Sequence, residues 1–232
     1  MILYSDDYAE IYRQMSEEED TIAYWTRKYS KRILKDFKRS PKVPVWTYKI
    51  VTMPRTLNRY LLFYYALTRL ECIHETCFAG AVLLLDDDKG RPVALQLKHF
   101  TDTDDRDIHV ESLQIYTGHF FSRYKERYNW QDQLSRYELM TTFFGRNAGY
   151  LMEVDYNKFV LQKDRIPNGT AFGMDDGVSL ATKEWITLDS GKEIFITKHN
   201  TFLSRKHLKE DQTAILPSQD AMRAKLLTHF QH

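Results

Sequence analysis

The stretch GAVLLLDDDKGRPVALQLK, residues 80–98, consists of two apolar runs on either side of an acidic turn. Lys89 and Gly90 lie in that turn, where the glycine can take the positive φ angle that a tight connection between strands needs. This pattern is typical of a β-hairpin. It predicts an antiparallel sheet in the middle of the chain.

Further strand-like segments lie before and after this hairpin. Residues 42–51 (KVPVWTYKIV) and 58–68 (NRYLLFYYALT) are rich in aromatic and branched residues, so both are predicted to be strands. Later in the chain, GVSLAT, EWITL and EIFITKHNTFL predict a C-terminal β meander with a turn at residues 189–192. The run from Pro167 to Gly177 is the best candidate for a long flexible loop.

Helical periodicity appears in three other parts of the chain. Ser16 and Glu19 match a capping box, and the apolar residues that follow predict a long amphipathic helix over residues 17–39. A second helix is predicted from Trp130 to Phe144, with Gly145 ending it, and a short helix is predicted near SQDAMRAKLLTHF, residues 218–230.

The last turns of the long helix are strongly basic. A solvated face is the favoured interpretation, because helix surfaces commonly carry such charge, and phosphate binding is the alternative. The cations are Arg27, Lys28, Lys31, Arg32, Lys35, Lys38 and Arg39.

Together these elements predict an α+β fold, in which helices pack against an antiparallel sheet. The long amphipathic helix begins the chain, and the β meander lies toward its C-terminus. A chain of 232 residues is expected to form a single main domain, 1–232, with an N-terminal helical segment over residues 1–40.

The charge balance restricts the partners of the whole molecule. The 33 Lys and Arg residues nearly cancel the 32 Asp and Glu residues, so the formal net charge is +1. Binding to nucleic acid or to an anionic membrane would therefore depend on local patches. No secretion signal is recognisable, and no apolar run approaches the roughly 20 residues that span a bilayer. We expect a cytoplasmic protein with no membrane partner, and we predict no cofactor.

The stretch IYTGHFFSRYKERYN, residues 115–129, combines a basic line with an aromatic ridge. His119, Arg123 and Arg127 lie four positions apart and therefore on one helix face. Guanidinium groups present forked donors to phosphate, and a histidine can exchange a proton near neutral pH. This pattern predicts His119 as a catalytic residue and the two arginines as phosphate ligands. Thr117 is the predicted cap, and the ridge that packs into the sheet consists of Phe120, Tyr124 and Tyr128.

The segment HFFSRYKER resembles the H-x-x-x-R-x-x-x-R helix of small toxin-like domains that are distantly related to RelE-like ribonucleases. The resemblance covers about thirty residues, from His119 into the following helix. In such domains a compact sheet and basic helices engage RNA. The resemblance therefore implies that His119, Arg123 and Arg127 face RNA.

The leading functional prediction is RNA-directed, toxin-like binding or cleavage of phosphodiesters. The first alternative is a non-catalytic protein-interaction or structural protein, in which nearby carboxylates neutralise the two arginines. A metal-dependent hydrolase is the second alternative. The expected partner is accordingly RNA, another phosphate-bearing ligand or a protein, and the sequence leaves open whether the protein is an enzyme. The carboxylates available for pairing are Glu126, Glu138 and Asp132.

Two neighbouring residues of the last predicted strand, Lys198 and His199, are candidates to supplement a phosphate site. Successive side chains of a strand point to opposite faces, so the two cannot lie on the same side of the sheet. Their participation requires that this strand approach the helix of His119.

Three clusters have residue types that bind metals, but none has the spacing of a known metal signature. We therefore favour ordinary packing or a solvated turn and predict no metal site. A transition metal would suit His109, Glu111 and His119. Zinc would suit Cys72, His74 and Cys77, the first two of which would share a strand face. A divalent cation would suit the acidic run Asp102, Asp104, Asp105 and Asp107.

Overall fold

The computed structural model describes residues 1–75, 77–101, 109–127, 134–147 and 152–216. Within these residues, nine strands form one sheet in the order β1-β2-β3-β4-β5-β9-β8-β7-β6. The strands are β1 (Val45–Thr52), β2 (Arg59–Ala66), β3 (Phe78–Asp86), β4 (Pro92–Thr101), β5 (His109–Tyr116), β6 (Met152–Val154), β7 (Gly169–Met174), β8 (Gly177–Thr187) and β9 (Glu193–Ser204).

The sheet consists of two antiparallel meanders that meet in its centre. The first contains β1 to β5 and the second contains β6 to β9, each in chain order. The pairing between β5 and β9 is parallel. The predicted hairpin is confirmed as β3 and β4, and Gly90 has a φ angle of 69° in its turn. The predicted α+β class, the antiparallel sheet and the C-terminal meander are confirmed.

The long N-terminal helix α1 (Tyr8–Arg39) is confirmed, but it begins earlier than predicted. Asp7 is its N-cap residue, and the carboxylate accepts hydrogen bonds from the backbone N–H groups of Ala9 and Glu10. The predicted start at Ser16 is wrong, because the helix already has its cap nine residues upstream. The helix ends at Arg39, just before Pro41.

Four shorter helices follow among the described residues. They are α2 (Arg69–His74), α3 (Gly118–Arg127), α4 (Arg136–Arg146) and α5 (Glu210–Ala214). Short 3₁₀ turns occur at Tyr156–Lys158, Gln162–Asp164 and Arg205–His207. No helix in the described part of the chain is both long and apolar enough to cross a bilayer.

The boundaries of α4 differ from the prediction. The helix begins at a capping box formed by Ser135 and Glu138 and continues through Gly145 to Arg146. Gly145 does not end the helix. Its role is close packing, because a Cβ atom at this position would approach Cγ of Trp46 to 2.7 Å. The predicted start of this helix lies outside the described residues, as does the predicted C-terminal helix at residues 218–230.

Two details of the C-terminal meander also differ from the prediction. GVSLAT and EWITL belong to one continuous strand, β8, and are not separate strands. The predicted loop between Pro167 and Gly177 contains strand β7, which pairs with β8 from Gly169 onward. Strand β7 therefore occupies most of the predicted loop, and a tight turn at 175–176 connects it to β8.

Helices cover both faces of the sheet. On one face α1 packs over the first meander, and on the other face α3 and α4 pack through a layer of aromatic side chains. Each of these buried side chains contributes roughly 1.5–3 kcal/mol through the apolar surface removed from water. The second layer includes Phe120, Phe121, Tyr124, Phe143, Phe144 and Phe202.

A buried carboxylate fixes α1 to the connection between β1 and β2. Glu18 accepts hydrogen bonds from Asn58 Nδ2 (2.9 Å), from the hydroxyl of Tyr60 (2.6 Å) and from the hydroxyl of Thr56. The side-chain oxygen of Asn58 accepts in turn from the backbone N–H of Ile2 at 2.7 Å. The start of the chain, the helix and the hairpin are thus joined in one polar network.

Replacing Glu18 by glutamine is expected to lower the free energy of unfolding by about 1–3 kcal/mol. The amide NH₂ group cannot accept the hydrogen bonds that reach the second carboxylate oxygen, so a buried donor loses its partner. Urea titration measures the change. The control is Glu17→Gln, whose side chain is 62% exposed, and it should change stability by less than about 0.5 kcal/mol. Equal losses in the two variants would contradict the assignment.

Candidate functional site

A cleft opens between β3 and β4. Their ladder runs from Asp86 and Pro92 to Leu83 and Leu95 and stops there. Beyond that point, residues 78–82 pair with β2 and residues 96–101 pair with β5. The two strands therefore separate in the middle of the sheet.

Small side chains keep this cleft open. Ala79, Gly80 and Ala81 line it on β3, and Leu97 lines it on β4. Ala79 is exposed and Ala81 is half-buried, although β3 is an inner strand of the sheet. Gly80 has a further requirement, because the ring of Phe63 lies where a Cβ atom would be placed. A larger residue at position 80 would displace that ring.

Helix α1 covers the cleft without filling it. The buried residues of α1 are Ile11, Tyr12, Met15, Glu18, Ile33 and Phe37, so both ends of the helix are anchored. Between them, Ile22, Ala23 and Thr26 are half-buried. The middle of the helix and the separated strands line an open cleft with a volume of about 700 Å³. A cleft of this size is large enough for a ligand.

The strands direct hydrogen-bonding groups into this volume. Backbone groups of antiparallel strands point alternately to one neighbour and to the other. At the end of the hairpin, the N–H of Asp87 donates to the carbonyl of Arg91 at 2.9 Å. Every second residue before Asp87 on β3 therefore directs its N–H and C=O groups toward β4, and these residues include Ala81 and Ala79. Every second residue after Arg91 on β4 directs its groups toward β3, and these include Leu97. In the described residues no strand pairs with these groups.

The side chains of the cleft are mainly apolar, with a few polar groups among them. Met15, Ile22 and Leu97 provide apolar surface, while Glu19 and Arg27 place opposite charges on the helical side. A cleft with this lining has apolar surface for apolar side chains and a few polar groups that can orient a ligand.

The predicted basic helix is confirmed as α3. Thr117 caps it, since its hydroxyl accepts from the N–H of Phe120 at 3.2 Å. Phe120 and Tyr124 are fully buried, as predicted, and Tyr128 lies outside the described residues. His119 is exposed at the start of the helix.

The two arginines of α3 are both engaged within the protein. Arg123 forms an ion pair with Glu126 at 2.7 Å, which was one of the predicted pairings. Arg127 is half-buried and donates to the carbonyl of Phe202. Burial, with a smaller effect of Arg123, lowers the pKa of Arg127. The two arginines therefore lie on one face of α3, but Glu126 neutralises Arg123 and a backbone carbonyl binds Arg127.

Lys198 and His199 point to opposite faces of the sheet, as predicted. Lys198 lies on the α1 side, where its Nζ is 3.5 Å from the hydroxyl of Tyr8. His199 lies beneath α3 but is fully buried. A phosphate on the surface of α3 can contact neither side chain. Their predicted role as phosphate ligands beside His119 therefore has no support from their positions.

His199 belongs to a buried polar network. Its Nε2 is 2.9 Å from the carbonyl oxygen of Gln114, and its Nδ1 is 2.8 Å from the hydroxyl of Ser179. The amide nitrogen of Gln114 donates to Ser112, so its oxygen must accept from the imidazole. In the neutral ring, Nδ1 then carries no proton and accepts from the hydroxyl of Ser179. The ring also stacks on Tyr116 at 4.3 Å.

The environment of this histidine holds it in the neutral form. Burial, together with the nearby positive charge of Lys98, lowers the pKa of His199 to about 3. Burial also lowers the pKa of Lys98 itself, to about 8. The charged forms are disfavoured because each would lose its hydration on folding.

The structure describes only part of the three candidate metal clusters. No group of three or more His, Cys, Asp or Glu residues in the described ranges is arranged to hold a metal ion. Glu111 lies near the start of β5, whereas His119 lies in α3, beyond the other end of that strand. The part of β5 that follows Glu111 spans roughly 16 Å, and Glu111 pairs with Lys192. The side chain of His109 and the acidic run at 102–107 lie outside the described residues.

The Cys72–His74–Cys77 cluster was predicted on a strand, but Cys72 and His74 lie on helix α2. Residues two apart on a helix face in different directions. Cys72 is buried accordingly, and His74 is exposed. Burial, with a contribution from Cys72, raises the pKa of the Cys77 thiol to about 11. A thiol that resists ionisation is a poor zinc ligand.

The cleft was not predicted from the sequence, although two features of the sequence are consistent with it. Residues 79–81, Ala-Gly-Ala, interrupt the large apolar residues of an inner strand. The middle of α1 places Ala23, Thr26 and Ser30 on the face that is directed toward the sheet, where a closely packed helix would carry larger apolar residues. Comparisons with protein families, with curated proteins and with solved structures find no match to this chain.

Proposed function

We propose that the protein is a non-catalytic binding protein whose cleft accepts an extended polypeptide segment as an added strand between β3 and β4. The observation that carries this proposal is the separation of two inner strands whose backbone groups point into the same cavity. An extended peptide satisfies such groups along its whole length, and its side chains supply specificity.

The cleft also restricts the sequence of the peptide. Residues 78–82 of β3 pair with β2 on one side and have no partner strand on the side of β4. About five residues of a peptide can therefore form a ladder there, roughly 16 Å in length. Alternate side chains of the added strand point toward α1, where they contact Met15, Ile22 and Leu97. Apolar residues at every second position are therefore preferred.

Amide hydrogen exchange of the protein, measured with and without a selected peptide, tests this function. A displayed library of random peptides of about eight residues is selected on the immobilised protein, and the best binder is synthesised. Binding should protect the amides of Ala79, Ala81 and Leu97 from exchange, because they gain acceptors. The amides of Leu83 and Leu95 lie within the existing ladder and serve as internal controls. Failure to select any peptide, or protection confined to other strands, would overturn the proposal.

The RNA-directed function predicted from α3 stays a prediction, and the arginines provide its test. If Arg123 and Arg127 contact phosphate, replacing both with glutamine should weaken RNA binding and reduce its dependence on salt by a slope of about 1.4 for two lost contacts. His119→Ala should then reduce cleavage more than binding. Binding titrations at several salt concentrations, a cleavage assay and a thermal melt measure these effects. Unchanged RNA binding together with lower stability would assign the arginines to the ion pair and the backbone contact described above.

A further inference from the structure

We infer that the outer face of α1 is a binding surface for single-stranded nucleic acid, separate from α3 and adjoining the cleft at Arg27. Seven cations and one acidic residue, Asp36, occur within residues 27–39, whereas the whole chain has a formal net charge of +1. All seven cations are exposed. They are Arg27, Lys28, Lys31, Arg32, Lys35, Lys38 and Arg39.

The helix arranges these cations as one ridge. They recur at spacings of three and four residues, which places them on the same face. The opposite face carries Ile33 and Phe37, which are buried against the rest of the protein and fix the helix in place. From Tyr24 to Arg39 the ridge extends for roughly 22 Å at 1.5 Å per residue. A rigid basic ridge of this length can follow several phosphates of an extended strand.

Helix stability alone does not account for this charge. Cations stabilise the C-terminal end of a helix, but the effect is limited to the last turn. Lys38 and Arg39 lie in that turn, whereas Arg27, Lys28 and Lys31 lie two or more turns earlier. Among the described residues, Lys38 is the cation of this ridge that has an acidic partner, Glu75 at 3.7 Å. The rest of the positive charge is directed to solvent.

Aromatic rings at the start of the ridge favour nucleic acid over other anionic partners. Tyr24 is 56% exposed, and its ring meets that of Trp25 edge to face at 5.4 Å. The ammonium group of Lys28 lies 4.4 Å from the Trp25 ring. Exposed rings beside cations can stack on unpaired bases while the cations neutralise phosphates. A membrane surface would offer the rings little, because the apolar face of α1 is already buried in the fold.

Salt-dependent binding of a fluorescent oligouridine of about twelve nucleotides tests this surface. Its affinity should fall with salt, and contacts to three or four phosphates give a logarithmic slope of about −2 to −3. Changing Lys28, Lys31 and Lys35 together to glutamine should make the slope shallower by about 2 and weaken binding at least tenfold near 100 mM salt. Tyr24→Ala should weaken binding about tenfold through lost stacking while the slope stays the same.

A matched variant distinguishes the effect of this surface from the effect of a lower net charge. Changing Lys89, Lys163 and Lys206 to glutamine removes the same charge from exposed positions elsewhere and should leave the slope as in the unmodified protein. Equal losses in the two triple variants would overturn the proposal. So would binding to phosphatidylserine vesicles without binding to the oligonucleotide. If affinity for the oligouridine falls only when Arg123 and Arg127 are changed to glutamine, the nucleic acid binds α3 and not α1.

Discussion

Replacing Ala81 by proline is expected to weaken binding of a cleft peptide by about 30- to 1,000-fold while the protein remains folded. Proline removes the N–H group that points into the cleft and places its ring there. The peptide then loses the hydrogen bond from the N–H of residue 81, and the proline ring holds it away from the backbone groups next to that residue. Together these effects cost about 2–4 kcal/mol of binding free energy. The fold should tolerate the change, because this N–H group does not belong to the ladder with β2.

The valine variant at the same position is the matched control. Ala81→Val adds a side chain of similar bulk but keeps the N–H group, so it should retain more than a tenth of the affinity. Titration calorimetry with the selected peptide measures both variants, and thermal melts establish that both are folded. Equal affinities for the proline and the valine variants would exclude a backbone contact at Ala81 and with it strand addition at this site.

Acidification is expected to destabilise the protein by about 3 kcal/mol between pH 7 and pH 4 through His199 alone. The pKa of this histidine is about 3 in the folded protein and 6.5 for the free side chain. Between these values the unfolded chain binds a proton that the folded protein does not. Stability is therefore fully present above about pH 6.5 and is lost as the pH falls toward 3. Urea titrations at several pH values measure this loss.

His199→Gln isolates this contribution from the carboxylates, which titrate in the same range. The variant should be less stable at pH 7, because it loses the stacking on Tyr116 and changes the contacts with Ser179 and Gln114. Its stability should nevertheless fall less steeply with acid. His207→Gln removes an exposed histidine and should keep the steep dependence. Parallel pH profiles for the unmodified protein and His199→Gln would show that the imidazole is not held neutral.

The sequence determined the local elements where hydrophobic pattern and turn chemistry agree. The hairpin of β3 and β4 was predictable because a positive φ angle at Gly90 separates two strongly apolar strands. Helix α3 was predictable because Thr117 caps it and Phe120 and Tyr124 recur at helical spacing. Each of these signals acts over fewer than about ten residues, and tertiary packing does not oppose it.

Element boundaries were less well determined, because local signals are repeated along the chain. Ser16 with Glu19 has the pattern of a cap, yet Asp7 is the residue that caps α1. Gly145 is a common residue after a helix, yet it lies inside α4, where Trp46 leaves no room for a side chain. The first turns of α1 bury Ile11 and Tyr12, and Gly145 packs against Trp46, so packing against other parts of the chain accompanies both outcomes.

The candidate sites depended on tertiary structure still more strongly. His199 and Lys198 are neighbours in sequence, but the parallel pairing of β5 with β9 places one beside Gln114 and leaves the other beside Tyr8 of α1. Burial of His199 under Tyr116 then determines its charge. Neither effect is encoded in the residues next to it, because strand order and burial arise from contacts across the whole chain.

The sequence by itself thus determined the β3–β4 hairpin, the helical character of α1 and α3 and the charge of α1, since these follow from the periodicity of neighbouring residues. The tertiary structure alone decided that β3 and β4 separate after Leu83 and Leu95 and that α1 crosses above the gap. Small residues at 79–81 permit this gap but do not require it. The gap exists because β3 pairs with β2 and β4 pairs with β5, while the two ends of α1 are anchored on the two sides of the gap. These constraints act only when the whole sheet is assembled.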